Sequence, residues 1–155
     1  MEAVPYLTLP ERSVIWAGGP ASLAVIVAEH SERWLPLLAY DADGCQSRLL
    51  EHTDDRAVWL MSWLPGQGTD LHNHGDICGA FAVAAGTLTE RLPAGAAGLR
   101  DTIRTFEPGH ARVFGPHYTH QLLNAGRGCA VSVHVHGAGP SRTPRPSGSL
   151  HDHGR

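Results

Sequence analysis

The chain has 155 residues, of which 42% are apolar and 17% are charged, and its formal net charge at pH 7 is -3. This length and composition predict a single folded domain and exclude a disordered chain. The small acidic net charge gives no reason to expect nucleic acid or an anionic membrane as a partner.

One or two helices are predicted within the first 44 residues. In the segment SLAVIVAEHSERWLPLL, the apolar residues Leu23, Ile26 and Val27 share one side at helical spacing, and Ser22 is a candidate N-cap. The rest of the chain has a different pattern, in which short apolar or alternating segments are separated by Gly, Pro or Asn turns. These segments are residues 58–65, 79–86, 87–92, 102–106, 111–115 and 129–136.

Such a series of short segments predicts an all-β protein, built as an antiparallel sandwich or small barrel over about residues 45–138. We therefore expect residues 1–138 to form one domain, with its helical part in residues 1–44. Residues 139–155 are rich in Gly, Pro and Ser, and we expect an extended or disordered tail there.

The cellular setting is also suggested by the sequence. No apolar run approaches the ~20 residues needed to span a bilayer. The N-terminal segment MEAVPYLTLPERS lacks the basic-then-apolar order of a signal peptide. Three cysteines at scattered spacing, Cys45, Cys78 and Cys129, are typical of reduced thiols rather than a disulfide framework. We expect a cytoplasmic protein, either a monomer or a small homo-oligomer, with no membrane partner.

The sequence His72-Asn73-His74 is the first motif that suggests chemistry. On a strand the two imidazoles would point the same way, ~6–7 Å apart along the chain. They can converge on one metal ion if a third ligand comes from elsewhere in the fold. The alternative is a pair of solvent-facing or hydrogen-bonded histidines.

Two segments around this motif resemble the metal motifs of the cupin superfamily, a small β-barrel whose two sheets enclose one metal. The first is PGQGTDLHNHGDICGAFAVAAG, residues 65–86, and the second is FGPHYTHQLLN, residues 114–124. The family's first motif carries two His and a Glu, but Gly79 occupies the glutamate position here. The resemblance therefore implies three metal ligands: His72, His74 and His120.

Five elements of the chain are similar to cysteine dioxygenase, particularly the bacterial type: Trp63, HNHGD, Leu88-Thr89-Glu90, HQLLN and SVHVH. This resemblance covers roughly residues 45–138. It implies an iron(II) enzyme that adds O₂, its co-substrate, to the sulfur of L-cysteine and releases cysteine sulfinate. The chemistry agrees, because three neutral imidazoles leave the ion its full positive charge, which favours an anionic thiolate ligand.

The resemblance also suggests residues around the metal. Ser132 and His134 match the first two members of the family's Ser–His–Tyr relay, and His136 replaces the tyrosine. Because Ser132, His134 and His136 alternate along one strand, we expect them on one face. His134 and His136 are then a hydrogen-bonding pair near the metal, part of a solvated face, or a source of one more ligand.

Two further residues are candidates for binding the substrate. Arg48 lies where the family has its carboxylate-binding arginine, provided that the following loop is shorter here; Arg56 is the second choice, and a surface role is the alternative. Tyr118 is expected either to reach the substrate pocket or to orient a ligand.

The remaining expectations concern neighbouring residues. The cysteine that forms the mammalian thioether crosslink corresponds to Gly79, so no crosslink is expected, and Cys78 is predicted to be a packed thiol. Trp59 and Trp63 are predicted to be core residues.

Two other functions stay open at this stage. Because His136 replaces a phenol with a titratable imidazole, the enzyme could prefer another small thiol such as 3-mercaptopropionate. It could also form a different sulfur product, or use another divalent metal such as nickel. The third possibility is a non-enzymatic cupin that serves as a ligand sensor or binding module.

Overall fold

A computed structural model describes residues 19–95 and 98–137 of the chain. The predicted tail, residues 139–155, and the first 18 residues lie outside this part. Within it, two antiparallel sheets face each other and a helix covers the outer face of one of them. The predicted all-β cupin architecture with short N-terminal helices is confirmed.

The helical part is short. Helix α1 spans Gly19–Glu29, helix α2 spans Ser31–Trp34, and a 3₁₀ turn follows at Leu35–Leu37. Leu23 and Val27 of α1 are buried as their spacing predicts, whereas Ile26 is half-buried. Ser22 lies inside α1 rather than at its start, so the N-cap prediction is wrong. In the described parts of the chain, no helix is long and apolar enough to cross a bilayer.

Nine strands follow the helices. They are β1 Gln46–His52, β2 Arg56–Trp63, β3 His72–Asn73, β4 Gly79–Ala85, β5 Leu88–Leu92, β6 Thr102–Phe106, β7 Ala111–Phe114, β8 Thr119–Leu123 and β9 Ala130–Gly137. The first sheet has the order β1-β2-β9-β4-β7, and the second has the order β3-β8-β5-β6. The predicted segments match six of these strands within two residues, but they do not include β1, β3 or β8.

The alternation of side chains along the first sheet creates two apolar clusters. The outer cluster packs α1 and α2 against one face of the sheet: Leu23, Ala24, Val27, Ala28, Trp34, Leu50, Val58, Leu60, Ala82, Val131, Val133 and Val135. The inner cluster fills the space between the two sheets: Cys45, Met61, Trp63, Phe81, Val83, Leu88, Phe106, Leu122 and Ala130. Burial of these two clusters is the main stabilising contribution to the fold.

The inner cluster includes Trp63, so the prediction that this tryptophan is a core residue is confirmed. Trp59 is buried on the same inner face but belongs to neither cluster. The inner face of β9 presents Ser132, His134 and His136, because these residues lie opposite Met61, Trp59 and Ala57 of β2.

Candidate metal centre

The three histidines predicted as ligands lie together with their Nε2 atoms facing one another. The Nε2 atom of His74 is 3.1 Å from that of His72 and 3.0 Å from that of His120, and the third distance is 3.1 Å. Strand pairing explains this arrangement, because His72 of β3 lies directly opposite His120 of β8. The pairing of two strands distant in sequence thus brings the two motifs together.

Hydrogen bonds at the far side of two rings fix where their protons lie. Nδ1 of His72 donates to the carbonyl oxygen of Asp70 at 2.8 Å, and Nδ1 of His120 donates to the carboxylate of Glu90 at 2.8 Å. With the proton on Nδ1, the Nε2 atom of each neutral ring carries a lone pair. The three short Nε2 distances therefore cannot all be hydrogen bonds, and the lone pairs converge as metal ligands do.

The spacing and protonation of these rings both suit a metal ion. Neighbouring corners of an octahedron with metal–nitrogen distances of about 2.1 Å are about 3.0 Å apart, which matches the observed spacing. Burial lowers the pKa of His72. Burial and the neighbouring imidazoles of His120, His136 and His72 lower the pKa of His74 to about 3. Both rings are thus held in the neutral form that binds a metal.

Glu90 of β5 organises the outer side of His120. Its fully buried carboxylate accepts hydrogen bonds from His120 Nδ1, from the hydroxyl of Tyr118 and from Nε of Arg112, each at 2.8 Å. Burial alone would raise the pKa of Glu90, but the hydrogen bonds from His120 and Tyr118 and the charge of Arg112 hold it below the ordinary value. Such a carboxylate–histidine pair orients the ring and increases its basicity toward a metal.

A second hydrogen-bonded chain runs along the inner face of β9. The indole N–H of Trp63 donates to Oγ of Ser132 at 3.0 Å, and Ser132 lies 2.8 Å from Nε2 of His134. An indole can only donate, so Oγ of Ser132 accepts from Trp63, and the direction of its bond with Nε2 of His134 follows the tautomer of that ring. Burial lowers the pKa of His134 well below its ordinary value, so this ring is neutral.

The third residue on this face, His136, lies next to the metal ligands. Its ring centroid is 5.2 Å from that of His74 and 6.2 Å from that of Phe114. The structure therefore brings Ser132, His134 and His136 together beside the three histidines, as the strand alternation predicts. It places His136 among buried rings rather than on a solvated face.

Phe114 is packed between two rings of this site. Its ring stacks on His74 with centroids 4.5 Å apart, and on Tyr118 with centroids 5.3 Å apart. Gly79 makes room for it, because a Cβ atom at that position would lie 2.9 Å from Cζ of Phe114 and would clash with the carbonyl oxygen of Val135. The glycine in place of the cupin glutamate thus permits a stacked aromatic support for His74.

The loops that carry the two motifs are held to each other at the end of the barrel. The side-chain amide of Asn73 donates to the carbonyl oxygen of His117 at 3.0 Å and to Oγ1 of Thr119 at 2.8 Å. The backbone N–H of His117 donates to the carbonyl oxygen of Gly75 at 2.6 Å. These bonds fix the spacing between the segments that supply the ligands.

The hydroxyl of Tyr118 contacts the carboxylate of Glu90. Its hydroxyl donates to Glu90, and burial together with the adjacent carboxylate raises the pKa of Tyr118, so the hydroxyl keeps its proton. The Tyr118 hydroxyl and Nδ1 of His120 thus donate to the same Glu90 carboxylate.

The structure does not bring Arg48 to the histidines. Arg48 lies opposite Leu60 in the sheet, so its side chain is on the outer face, where it is exposed and lines a cavity of about 280 Å³. Its neighbour Leu49 takes the inner position, opposite Trp59.

Arg56 does not replace it. Arg56 precedes the inward-facing Ala57 on β2, so it too lies on the outer face. There it forms an ion pair with Glu51 at 3.1 Å. Neither arginine therefore faces the three-histidine group.

None of the three cysteines forms a disulfide, as their spacing predicts. Cys45 is buried in the inner cluster, but Cys78 is exposed, so the prediction that Cys78 is a packed thiol is wrong. Cys78 lies just before the start of β4, outside the part of the sheet that the helices cover.

Sequence reasoning missed the roles of Glu90, Arg112 and Phe114. Glu90 is part of the Leu88-Thr89-Glu90 motif, but its chain neighbours Thr89 and Arg91 are polar, so the local sequence does not mark it as a buried carboxylate. Nothing in the local sequence marks Phe114 or Arg112, because their neighbours come from other strands.

Fold and site together define a cupin with a candidate three-histidine metal centre. The similarity to solved structures agrees. The protein TT1209 from Thermus thermophilus superimposes with a TM-score of 0.58 at 19% identity, covering 68% of this chain and 94% of that chain. The cupin domain of Schizosaccharomyces pombe Cnp3 gives a TM-score of 0.57 at 11% identity, covering 68% of this chain and 72% of the other.

An oxalate oxidase structure is also similar, with a TM-score of 0.55 at 17% identity, covering 63% of this chain and 53% of that chain. At such identities these likenesses show the fold alone. No curated protein sequence is similar enough to count as a match.

The family is shown by the sequence itself. The family model for cysteine dioxygenase type I matches residues 21–145, which is most of the chain. The chain therefore belongs to the cysteine dioxygenase type I family. This membership and the three-histidine group support a metal-dependent cupin oxidoreductase.

Proposed function

We propose that this protein is an iron(II) thiol dioxygenase that adds both atoms of O₂ to the sulfur of L-cysteine, forming cysteine sulfinate. The observation that carries the proposal is a group of three histidines with converging Nε2 atoms in a member of the cysteine dioxygenase family. Three neutral ligands leave the metal charge uncompensated, and an anionic thiolate compensates it.

The residues that would hold the metal are His72, His74 and His120. When bound, iron(II) would supply a Lewis-acidic, redox-active centre that brings thiolate and dioxygen together. The protein orients these ligands through Asp70, Glu90 and the ring of Phe114.

We propose that the hydrogen-bonded chain Trp63–Ser132–His134 presents an N–H to the site. When Ser132 donates to Nε2 of His134, the proton of this neutral ring lies on Nδ1 and is available to a group bound near the metal ligands. The apolar residues of the inner cluster pack on the His134 side of the site and exclude bulk water from it.

The second candidate is a related oxygenase with a different thiol, product or metal. It is favoured by two observations: the two candidate anchors for a substrate carboxylate, Arg48 and Arg56, both lie on the outer face, and His136 replaces the family's tyrosine. A thiol such as 3-mercaptopropionate, another sulfur-oxidised product, or a metal such as nickel fits this candidate.

The test begins with protein loaded anaerobically with iron(II), mixed with one thiol at a time, and then exposed to O₂. We expect thiol-dependent O₂ uptake and a product two oxygen atoms heavier than the thiol in mass spectrometry. The same samples are assayed for metal, and nickel-loaded protein is run in parallel. A His74→Ala variant is the control, and it should lose both metal binding and O₂ uptake.

Each outcome has a clear reading. Cysteine sulfinate as the main product supports the first candidate, and faster turnover of another thiol or another product supports the second. Protein that is fully occupied by iron but oxidises no thiol contradicts both. Thermal stabilisation by a thiol without turnover would instead indicate a binding module.

A further inference from the structure

Trp59 is buried on the inner face of β2 but takes no part in either apolar cluster. Its side chain is 8% exposed, and it lies opposite His134 of β9 on one side and Leu49 of β1 on the other. Leu49 is on the edge strand of the sheet and is 44% exposed. Trp59 thus lies between His134 and the exposed edge strand β1.

The indole nitrogen of Trp59 is buried without a hydrogen-bond partner among the described residues. The two other tryptophans in the described part of the chain are both paired: Trp63 donates to Ser132, and Trp34 donates to the carbonyl oxygen of Ala28 at 3.2 Å. A buried N–H that gives up its bond to water without replacing it lowers stability, and native proteins rarely retain one without a reason. An acceptor brought by a ligand is such a reason.

We propose that the Trp59 indole N–H donates a hydrogen bond to an oxygen acceptor on the thiol substrate and so anchors the end remote from sulfur. This inference rests on the proposed function. Trp59 would then hold the substrate on the inner face of the sheet. Arg48 and Arg56 cannot do so, because both lie on the outer face of the same sheet.

The chemistry of the donor defines the class of substrate. An indole has one N–H and no formal charge, so it requires an acceptor but does not require a negative one. An arginine, by contrast, strongly favours a carboxylate through its charge and its two parallel donors. We therefore expect a thiol with a carboxylate and the matching uncharged amide to bind through the same contact, and a thiol without oxygen to lack it.

The kinetic test uses three thiols of similar length with the iron-loaded protein: 3-mercaptopropionate, 3-mercaptopropionamide and 1-propanethiol. Trp59→Phe keeps an aromatic ring and removes the N–H. We expect KM for 3-mercaptopropionamide to rise roughly 2- to 12-fold, as loss of one neutral hydrogen bond implies, and KM for 3-mercaptopropionate, whose acceptor is charged, to rise by about 10-fold or more. KM for 1-propanethiol should stay unchanged. Trp34→Phe is the matched control, since Trp34 is buried in the outer cluster, and it should leave all three KM values unchanged.

A second measurement does not depend on turnover. The chain has four tryptophans, and in ¹⁵N-tryptophan-labelled, zinc-loaded protein their indole N–H signals are assigned from the Phe variants. We expect the Trp59 signal to move downfield when 3-mercaptopropionate or its amide is added, and not when 1-propanethiol is added. The Trp34 signal should not move.

The outcomes separate this inference from the proposed function. If thiols are oxidised but Trp59→Phe affects all three equally, or none, the inference is wrong. It is also wrong if Arg48→Ala raises KM for 3-mercaptopropionate while Trp59→Phe does not, because an arginine is then the anchor. If no thiol is oxidised, the proposed function fails, and the NMR arm still decides whether Trp59 binds the oxygen acceptor.

Discussion

Replacing Glu90 by glutamine tests whether the carboxylate behind His120 supports metal binding. The wild-type carboxylate accepts three hydrogen bonds at 2.8 Å, from His120, Tyr118 and Arg112. Glutamine has one acceptor oxygen and presents an NH₂ donor in place of the other, so at least one donor is left facing a donor. The variant also removes the negative charge that pairs with Arg112.

The structure sets the size of the effect. Removing one partner of a buried ion pair costs about 3–5 kcal/mol, and we expect about 3 kcal/mol because the Arg112 side chain is 21% exposed and keeps some water. The metal dissociation constant should rise roughly 10- to 100-fold, as for other residues that orient a ligand histidine. Urea unfolding of metal-free protein measures the free energy of unfolding, and anaerobic chelator competition measures the metal dissociation constant.

Glu51→Gln is the matched control for this variant. Glu51 is also paired with a buried arginine, Arg56, but on the outer face of the sheet and away from the histidines. It should lower the free energy of unfolding and leave the metal dissociation constant unchanged. A folded Glu90→Gln protein that binds metal as tightly as wild type would refute the reasoning.

Three other predictions follow from the site. Gly79→Ala should lower the free energy of unfolding by about 1–3 kcal/mol or more, because its methyl group clashes with the carbonyl oxygen of Val135; urea unfolding checks it. Ser132→Ala leaves the buried N–H of Trp63 without its acceptor, and we expect a loss of about 1–3 kcal/mol by the same assay, with metal affinity unchanged. Metal-free protein should lose stability as pH falls from about 6.5 toward 3, because His74 has its pKa lowered to about 3 and the unfolded chain binds that proton first. Unfolding midpoints across this pH range test the sign, and a midpoint that rises on acidification would contradict it; His74→Gln should flatten the profile.

The sequence by itself determined the features that depend on short-range pattern. The alternation of strand residues places Ser132, His134 and His136 on one face. The two histidine motifs predict the three residues whose Nε2 atoms converge. Turn residues and apolar runs locate most of the strands. These are local properties, because a strand repeats every two residues and a turn requires particular residue types.

Only the tertiary structure decided which face each strand turns inward and which distant residues meet there. A shift of one residue in register exchanges the two faces, which is why Arg48 lies outside and Leu49 inside. Glu90 reaches His120 because β5 pairs with β8, and Phe114 reaches His74 because Gly79 leaves space between their strands. Such contacts join residues far apart in the chain, and their free energy depends on packing between strands that no local pattern encodes.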